Sequence, residues 1–340
     1  MTDIASREAV AGAPLLAVRQ LRVQFRLRAL LPWRPPALLR AVEDVNFNLY
    51  PGETLGLVGE SGSGKSTLAR TLIGLQKATS GSINFDGQEL LRLAPKAWRP
   101  LRREIQMVFQ DPLSSLNPRM RVLASVAEPL RALHPELDRK QREALAAALL
   151  ERVGIPAAQL RRYPADFSGG QCQRIAIARA LVVRPRLLIC DEIVSSLDAS
   201  IQAQILNLLA DLQREYGMAL LFIAHDLAVV RHLCHRVMVL YLGRAMEQGA
   251  CEQLFTQPRH PYTRALIASV PGVRAPAEHR MLDGEMPSPV NPPPGCVFAT
   301  RCPMADEQCT RRAPHSRRFT DGGMAACHYA AEDADAVVYA

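Results

Sequence analysis

Nine residues, Gly59-Glu60-Ser61-Gly62-Ser63-Gly64-Lys65-Ser66-Thr67, constrain this chain more than any other stretch. They follow the apolar run Thr54-Leu55-Gly56-Leu57-Val58 and precede Leu68-Ala69-Arg70-Thr71-Leu72-Ile73, so a strand leads in and a helix leads out. With the spacing G-x-x-x-x-G-K-[ST], glycine takes positive φ and the backbone turns its N–H groups inward onto an anion. The helix that begins at Lys65 adds its dipole. Lys65 reaches the β and γ oxygens of a nucleotide, and the Ser66 hydroxyl suits Mg²⁺, a small hard ion that shares the phosphates. The competing reading is an ordinary Gly/Ser turn; a strand before and a helix after weigh against it.

The 340 residues exceed one average domain and suit a large α/β domain with an appendage. Lys and Arg number 41 against 33 Asp and Glu, a net charge of +8. That charge suits a nucleic acid, an anionic leaflet or acidic partners, but the Arg residues are scattered, and a solvated basic surface is the simpler reading. No run of 18 apolar residues is present, so no segment is expected to span a bilayer. The start, Met1 to Glu8, lacks a basic region followed by an apolar one. The expectation is a cytoplasmic protein that reaches a membrane through a partner. Eight Cys beside a nucleotide site and no signal peptide read as thiols or metal ligands rather than structural disulfides.

Leu16-Ala17-Val18, Leu21 to Phe25 and Val42 to Leu49 alternate as short strands of an antiparallel sheet. Leu30 to Pro36, with Trp33, reads as a Pro-rich apolar loop, either covered or touching a partner. Gly81 to Phe85 forms a strand closed by the turn Asp86-Gly87, and Glu104 to Phe109 a buried strand before Gln110. From about 112 to 184 the pattern is helical. Asp138 is placed as an N-cap, with Leu145, Ala148, Leu149 and Val153 on one face and Gly154 as the stop. Strands return at Leu187 to Cys190 and Ala219 to Ala224, separated by a helix from Ser200 to Tyr216. Continuous apolar strands alternating with helices argue an α/β fold with a parallel sheet covered on both faces. Beyond about Leu266 the chain turns Pro- and Gly-rich, and a small, separate, loop-rich tail is expected.

Asp191 and Glu192 end an apolar strand, at the edge where open α/β sheets bind ligands. One carboxylate suits Mg²⁺ and the next an attacking water, with Glu192 as general base. Alone, such a pair is as easily a helix cap. Phe167-Ser168-Gly169-Gly170-Gln171-Cys172-Gln173-Arg174 then opens an amphipathic helix with a second anion-binding N-terminus. Two cradles in one chain point to a sandwiched nucleotide.

On these motifs the chain resembles the ATPases of ABC transporters over about residues 15 to 268, with Gly59 to Ser66 as the Walker A, Leu187 to Glu192 as the Walker B and Ser168-Gly169-Gly170-Gln171 as the signature. Gln110 matches the Q-loop, Ser196-Leu197-Asp198 the D-loop and His225 the switch histidine. The resemblance implies a P-loop NTPase cassette with a parallel-sheet core, an antiparallel β subdomain and an α-helical subdomain at about 112–184. It also implies ATP held with Mg²⁺ through Ser66, Gln110 and Asp191, and a head-to-tail pair in which the signature acts in trans. Phe25 is the candidate on which adenine stacks, with core packing as its alternative.

Gln171 to Ile175, Ser200 to Leu209 and His260-Pro261-Tyr262-Thr263-Arg264-Ala265-Leu266 narrow the resemblance to ATP-binding subunits of bacterial dipeptide/oligopeptide importers, the F-type of two paralogues. Expected partners are then a paralogous ATPase in a heterodimer, two transmembrane permeases and an extracytoplasmic peptide-binding protein, at the cytoplasmic side of the inner membrane. Residues 1–268 are the expected ATP-binding domain and 269–340 the expected extension. One departure is Ile193, where the family carries Pro; it restores a backbone N–H and loosens φ.

Cys296, Cys302, Cys309 and Cys327 sit in that extension with five, six and seventeen residues between them and little apolar material around them. Zinc or a [4Fe–4S] cluster would staple such a segment, the family resemblance favouring the cluster, and four free thiols is the alternative. Cys172, Cys190, Cys234 and Cys251 read as packing residues. The rival functions are a soluble ABC ATPase on nucleic acid or ribosomes, an importer of another solute such as a metal chelate, and a module that binds ATP without turnover. A single cassette without sustained heptads argues against the first, and Glu192 with His225 against the last.

Overall fold

A computed structural model describes residues 12–27, 37–270, 273–274, 284–330 and 338–339. The loop expected at Leu30–Pro36 lies outside the described residues. In chain order the strands are β1 (Leu16–Leu27), β2 (Ala37–Leu49), β3 (Thr54–Val58), β4 (Ser80–Phe85), β5 (Gln88–Glu89), β6 (Ile105–Val108), β7 (Leu187–Asp191), β8 (Ala219–Ala224), β9 (Arg236–Tyr241), β10 (Arg244–Ala250), β11 (Val273–Arg274), β12 (Arg317–Arg318), β13 (Met324–Ala325) and β14 (Val338–Tyr339). The helices are α1 (Lys65–Leu72), α2 (Trp98–Glu104), α3 (Pro112–Ser115), α4 (Val122–Leu133), α5 (Arg139–Arg152), α6 (Gly169–Leu181), α7 (Ala199–Tyr216), α8 (Leu227–Leu233), α9 (Cys251–Thr256), α10 (Pro261–Ala268) and α11 (Glu307–Arg311). Two compact units result, one of residues 1–50, 54–91 and 224–340, the other of 51–53 and 92–223.

In the first unit, β2-β1-β4-β5 form an antiparallel sheet. The two N-terminal runs expected as separate strands are one, β1, because Gln20 takes φ 46° and the register shifts between Val18 and Leu21. That bulge lets Leu16, Val18, Leu21 and Val23 all face inward although the alternation slips by one residue. Asp86 and Gly87 both have positive φ, 49° and 83°, the geometry of a tight two-residue hairpin. A second sheet in this unit runs β12-β13-β10-β9-β3, with β9 parallel to β3. All five residues of β3 are buried, and a Cβ on Gly56 would lie 2.8 Å from Val230 Cγ1 and 2.9 Å from Cys234 Sγ, so α8 lies directly on that strand.

The C-terminal tail is not a body apart: it belongs to this unit and β13 extends the sheet, with Glu247 opposite Ala325 and Gln248 opposite Met324. Arg259, 7% exposed, pairs with Asp321 and lies over the Phe319 ring at 4.2 Å. The buried Glu247 carboxylate accepts the backbone N–H groups of Arg259 and His260 at 2.8 and 2.9 Å. Such a charged acceptor is stable under cover only because those donors replace water.

In the second unit β6, β7 and β8 run parallel, and β7 and β8 are buried along their whole length, as the unbroken apolar runs require. Helix α5 starts at Asp138 with a complete capping box through Gln141 and stops at Gly154, φ 85°. Its buried face differs from the expected one. Ala146, Leu149, Leu150 and Val153 are buried, whereas Leu145 is 42% exposed. Both faces satisfy a helical repeat; contacts with α4 and α6 select the one rotated by about a residue. Gly170 opens α6 against α7, where a Cβ would lie 2.5 Å from Ile201 Cγ2.

His260 caps α10, its Nδ1 accepting the Tyr262 N–H at 3.0 Å. Burial, helped by the Arg264 charge, pushes its pKa down to about 3. Above about pH 6.5 neither the folded nor the unfolded imidazole holds an extra proton; below it only the unfolded one does, so stability falls with pH until about 3. His260→Asn keeps an oxygen cap but cannot titrate. Urea unfolding is expected to show the wild-type chain losing about 2 kcal/mol more than His260→Asn between pH 7 and pH 5; equal losses would remove His260 from the acid limb.

Candidate functional site

The loop between β3 and α1 is shaped by two carbonyls. A Cβ on Gly59 would stand 2.2 Å from Leu240 O, and one on Gly64 2.2 Å from Ala41 O, while φ is 152° and 102° at these positions. Only glycine satisfies both demands. Helix α1 begins at Lys65 without any side-chain cap, its N-cap position being Gly64. A helix start of this kind suits an anion. Ser63 Oγ is buried without a hydrogen-bond partner, and Lys65, 4% exposed, donates from Nζ to Gly59 O at 2.8 Å and Glu60 O at 3.0 Å. A buried ammonium on backbone carbonyls, an orphan hydroxyl and an uncapped helix fit a phosphate chain.

Two residues hold this loop from positions that the sequence reading did not assign to it. Tyr262 Oη accepts the Glu60 N–H at 3.0 Å, and Arg301 Nη1 donates to both Glu60 carboxylate oxygens at 3.0 Å. The only sequence signal was indirect, since Tyr262 lies in the stretch resembling the importers and Arg301 precedes Cys302. Phe25 is half-buried on β1, opposite Leu39 of β2.

In the second unit Asp191 is the last residue of β7, 3% exposed, opposite Ile223 of β8. The next residue, Glu192, sits at φ 50°. A left-handed backbone at a non-glycine residue costs of order 1–3 kcal/mol and gathers at functional sites. Its N–H donates to Ile223 O at 3.0 Å, its carbonyl accepts from Ser195 Oγ at 2.9 Å, and its Oε2 accepts from Gln110 Nε2 at 3.2 Å. The structure thus joins two sequence-predicted residues, Gln110 and Glu192. Proline at 193 would push its predecessor toward extended backbone; the buried Ile193 leaves Glu192 free to turn.

Ser168 caps α6, accepting the Gln171 N–H at 3.4 Å while Gln171 Oε1 accepts the Ser168 N–H at 3.0 Å. Ser168 and Gly169 are exposed, and nothing lies closer than 3.9 Å to a Cβ built on Gly169. This helix end therefore has room for an incoming group. Ser196, Leu197 and Asp198 lead into α7, where Asp198 Oδ1 accepts the Ile201 N–H at 3.0 Å. His225 is exposed directly after β8, and Asp226 caps α8.

A family model for the ABC transporter matches residues 42–195, and one for the oligopeptide/dipeptide transporter C-terminal region matches 246–309. The oligopeptide transport ATP-binding protein OppF of Escherichia coli (strain K12) is 53% identical over 306 residues, covering 88% of this chain and 92% of that protein. The chain belongs to the ATP-binding subunits of oligopeptide ABC transporters. OppF of Haemophilus influenzae is 49% identical over 92% of this chain and 96% of its own, and AppF of Bacillus subtilis 47% over 92% and 97%. Among solved structures, CbiO1 of Clostridium perfringens, part of an ABC transporter complex, superposes with TM-score 0.61 at 30% identity, covering 71% of this chain and 90% of that one. The ATP-binding cassette MJ0796, solved as a post-hydrolysis dimer with ADP and Pi, gives 0.63 at 27%, over 69% and 98%. The fold is the ABC ATPase cassette and the chain is an ABC ATPase.

The ABC ATPase's own extension gathers Cys296, Cys302, Cys309 and Cys327. Burial raises the Cys302 thiol to about 11, and Cys327, Cys296 and Cys309 add to the rise; burial likewise raises Cys296, with Cys309 and Cys327 contributing. Cys296 N–H donates to Cys309 O at 2.7 Å. Among the described residues, however, no group of three or more His, Cys, Asp or Glu is arranged to hold a metal ion. The arrangement of the described residues thus gives the zinc expectation no support. Cys172, Cys190, Cys234 and Cys251 are buried.

Proposed function

We propose that this chain hydrolyses ATP to drive uptake of oligopeptides, from the cytoplasmic side of the cell membrane, as one of a pair of paralogous ATPases. Two permease subunits, and through them an extracytoplasmic peptide-binding protein, complete the assembly. The observation that carries the reading is that one chain joins a phosphate cradle to the oligopeptide/dipeptide-transporter C-terminal region. Among the described residues no helix is long and apolar enough to cross a membrane, which agrees with attachment through partners. On this reading residues 1–268 are the cassette and 269–340 its extension.

Residues Gly59 to Thr67 take the phosphates, Lys65 moving from loop carbonyls to phosphate oxygens. Ser66, Gln110 and Asp191 would hold Mg²⁺, which neutralises charge developing on the phosphate oxygens. Glu192, which accepts a hydrogen bond from Gln110 Nε2 at 3.2 Å, is the general base, and His225 is the switch that would steady the γ-phosphate. Phe25 supports the adenine. Ser168, Gly169, Gly170 and Gln171 act on the nucleotide of the paired subunit, with Ser196, Leu197 and Asp198 lining the contact. The dimeric state of MJ0796 with its hydrolysis products supports such a pair. ATP bound to both halves stabilises closure, and hydrolysis releases it.

The finer cofactor reading is a [4Fe–4S] cluster on Cys296, Cys302, Cys309 and Cys327. Its support is that Cys296 and Cys302 each feel the charge of the other thiols of the set, in a segment with few large apolar groups to order it.

Glu192→Gln is expected to retain ATP binding while turnover falls about 10²-fold or more, measured as steady-state phosphate release; near-normal turnover would remove Glu192 from the role. Ser168→Arg, mixed with wild-type subunits, is expected to silence the partner's cradle and spare its own nucleotide binding. A lesion confined to the mutant's own site would rule out action in trans. Iron and sulfide analysis of anaerobically purified protein is expected to return about four of each per chain; zinc alone, or no metal, would reject the cluster.

A further inference from the structure

We infer that α10 and the C-terminal extension together brace the phosphate loop through Glu60, with Tyr262 and Arg301 as positioning residues for nucleotide binding. The inference rests on the reading of Gly59 to Thr67 as the phosphate loop. Every polar handle of Glu60 is engaged. Its N–H goes to Tyr262 Oη, its carbonyl accepts Lys65 Nζ, and its two carboxylate oxygens share Arg301 Nη1. Two of these partners come from chain more than 200 positions later, 202 for Tyr262 and 241 for Arg301.

Both partners are rigidly placed. Tyr262 is fully buried, its ring centroid 4.8 Å from that of Tyr241 and 5.3 Å from that of Phe298. Tyr241 and Phe298 meet edge to face at 5.3 Å, closing a three-ring cluster. Arg301 is 5% exposed in its side chain against 30% for Glu60. It also donates to Tyr241 Oη at 3.4 Å, and its backbone N–H donates to Phe298 O at 3.0 Å, so the guanidinium and the ring beside it sit on one turn. An arginine held this way has already lost its rotamer freedom on folding, and ion pairing with Glu60 adds little further ordering cost.

The brace acts on the nucleotide in two ways. A carboxylate on the phosphate loop repels a polyphosphate unless a cation neutralises it, and the pairing lies in a mostly buried setting where salt screens weakly. The peptide between Glu60 and Ser61 also carries the carbonyl on which Lys65 waits, so a rotation of Glu60 displaces the lysine together with the loop N–H groups. With positive φ at Gly59, Gly62 and Gly64 the loop has little torsional stiffness of its own. A merely structural pairing, pinning the extension to the cassette, would change the stability of the fold and leave the affinity of the folded protein for nucleotide as it was.

The test is equilibrium binding of a fluorescent N-methylanthraniloyl-ATP with Mg²⁺ to the full chain, with urea unfolding of the same samples. Arg301→Met and Tyr262→Phe are each expected to weaken binding about tenfold, Tyr262→Phe doing so with its ring packing kept. Adding Glu60→Gln to Arg301→Met is expected to recover part of the loss, because the unpaired carboxylate is then gone, and Arg301→Lys to recover part as a point charge. Wild-type affinity in both Arg301→Met and Tyr262→Phe, with Lys65→Ala losing binding, overturns the brace while leaving the loop reading standing. Normal affinity in Lys65→Ala overturns both. If Arg301→Met does not fold, Tyr262→Phe alone decides.

Discussion

The structure depends on a loop that cannot satisfy itself. Helix α1 starts without a side-chain cap directly behind the loop, and the buried Ser63 Oγ has no hydrogen-bond partner. A buried polar atom of this kind is costly unless a ligand arrives. Nothing in the loop's own short side chains would hold it ready. It is held instead by close approach, Leu240 O against Gly59 and Ala41 O against Gly64, and by Gly243 N–H bonded to Ser63 O at 2.9 Å. Strands β2 and β9, and the turn at Leu242–Gly243 with φ 45° and 74°, exist in these positions partly to form that mould.

One of the non-glycine residues with positive φ, Glu192, lies where the chemistry is expected. In the second unit the backbone leaves β7 through Asp191 and enters the left-handed region at Glu192 before reaching α7. The bonds that oppose this strain are short-range and specific: Ile223 O on the Glu192 N–H and Ser195 Oγ on its carbonyl. The carboxylate therefore projects from an over-determined backbone, and Gln110 is the group that orients it. A proline at 193 would add rigidity at the cost of this φ. With Ile193 in its place, buried packing supplies the rigidity.

What could be read before the fold was known is what local chemistry dictates. The cradle's motif is one contiguous run of nine residues, and the Asp138 N-cap and the Asp86-Gly87 hairpin need partners within about four, so spacing alone reveals them. The nucleotide motifs and the family followed from them. What escaped was set by partners far along the chain. The bulge at Gln20 merges two strands because the inner face must stay apolar, the buried face of α5 is chosen by its neighbours, and β13 joins β10 across roughly 75 residues. Arg301 escaped for the same reason. A lone arginine in a Pro-rich tail carries no sign that its partner is Glu60.

That placement changes how the extension should be understood. Arg301 and Cys302 are adjacent, and Cys296, Phe298, Arg301 and Cys302 share one short turn fixed by Ala299 N–H on Cys296 O at 3.0 Å and Ala305 N–H on Cys302 O at 3.2 Å. A segment this poor in large apolar groups has little hydrophobic energy with which to offset about 1–2 kcal/mol of backbone entropy per ordered residue. Its order must come from its few strong contacts: the Tyr241, Tyr262 and Phe298 rings, the Arg259–Asp321 pair, the Glu247 acceptor and the thiol group. These contacts share one backbone, so they are not independent. Whatever orders the thiols also lowers the entropy lost by Arg301 on meeting Glu60, and the same linkage runs in reverse from the phosphate loop to the cysteines.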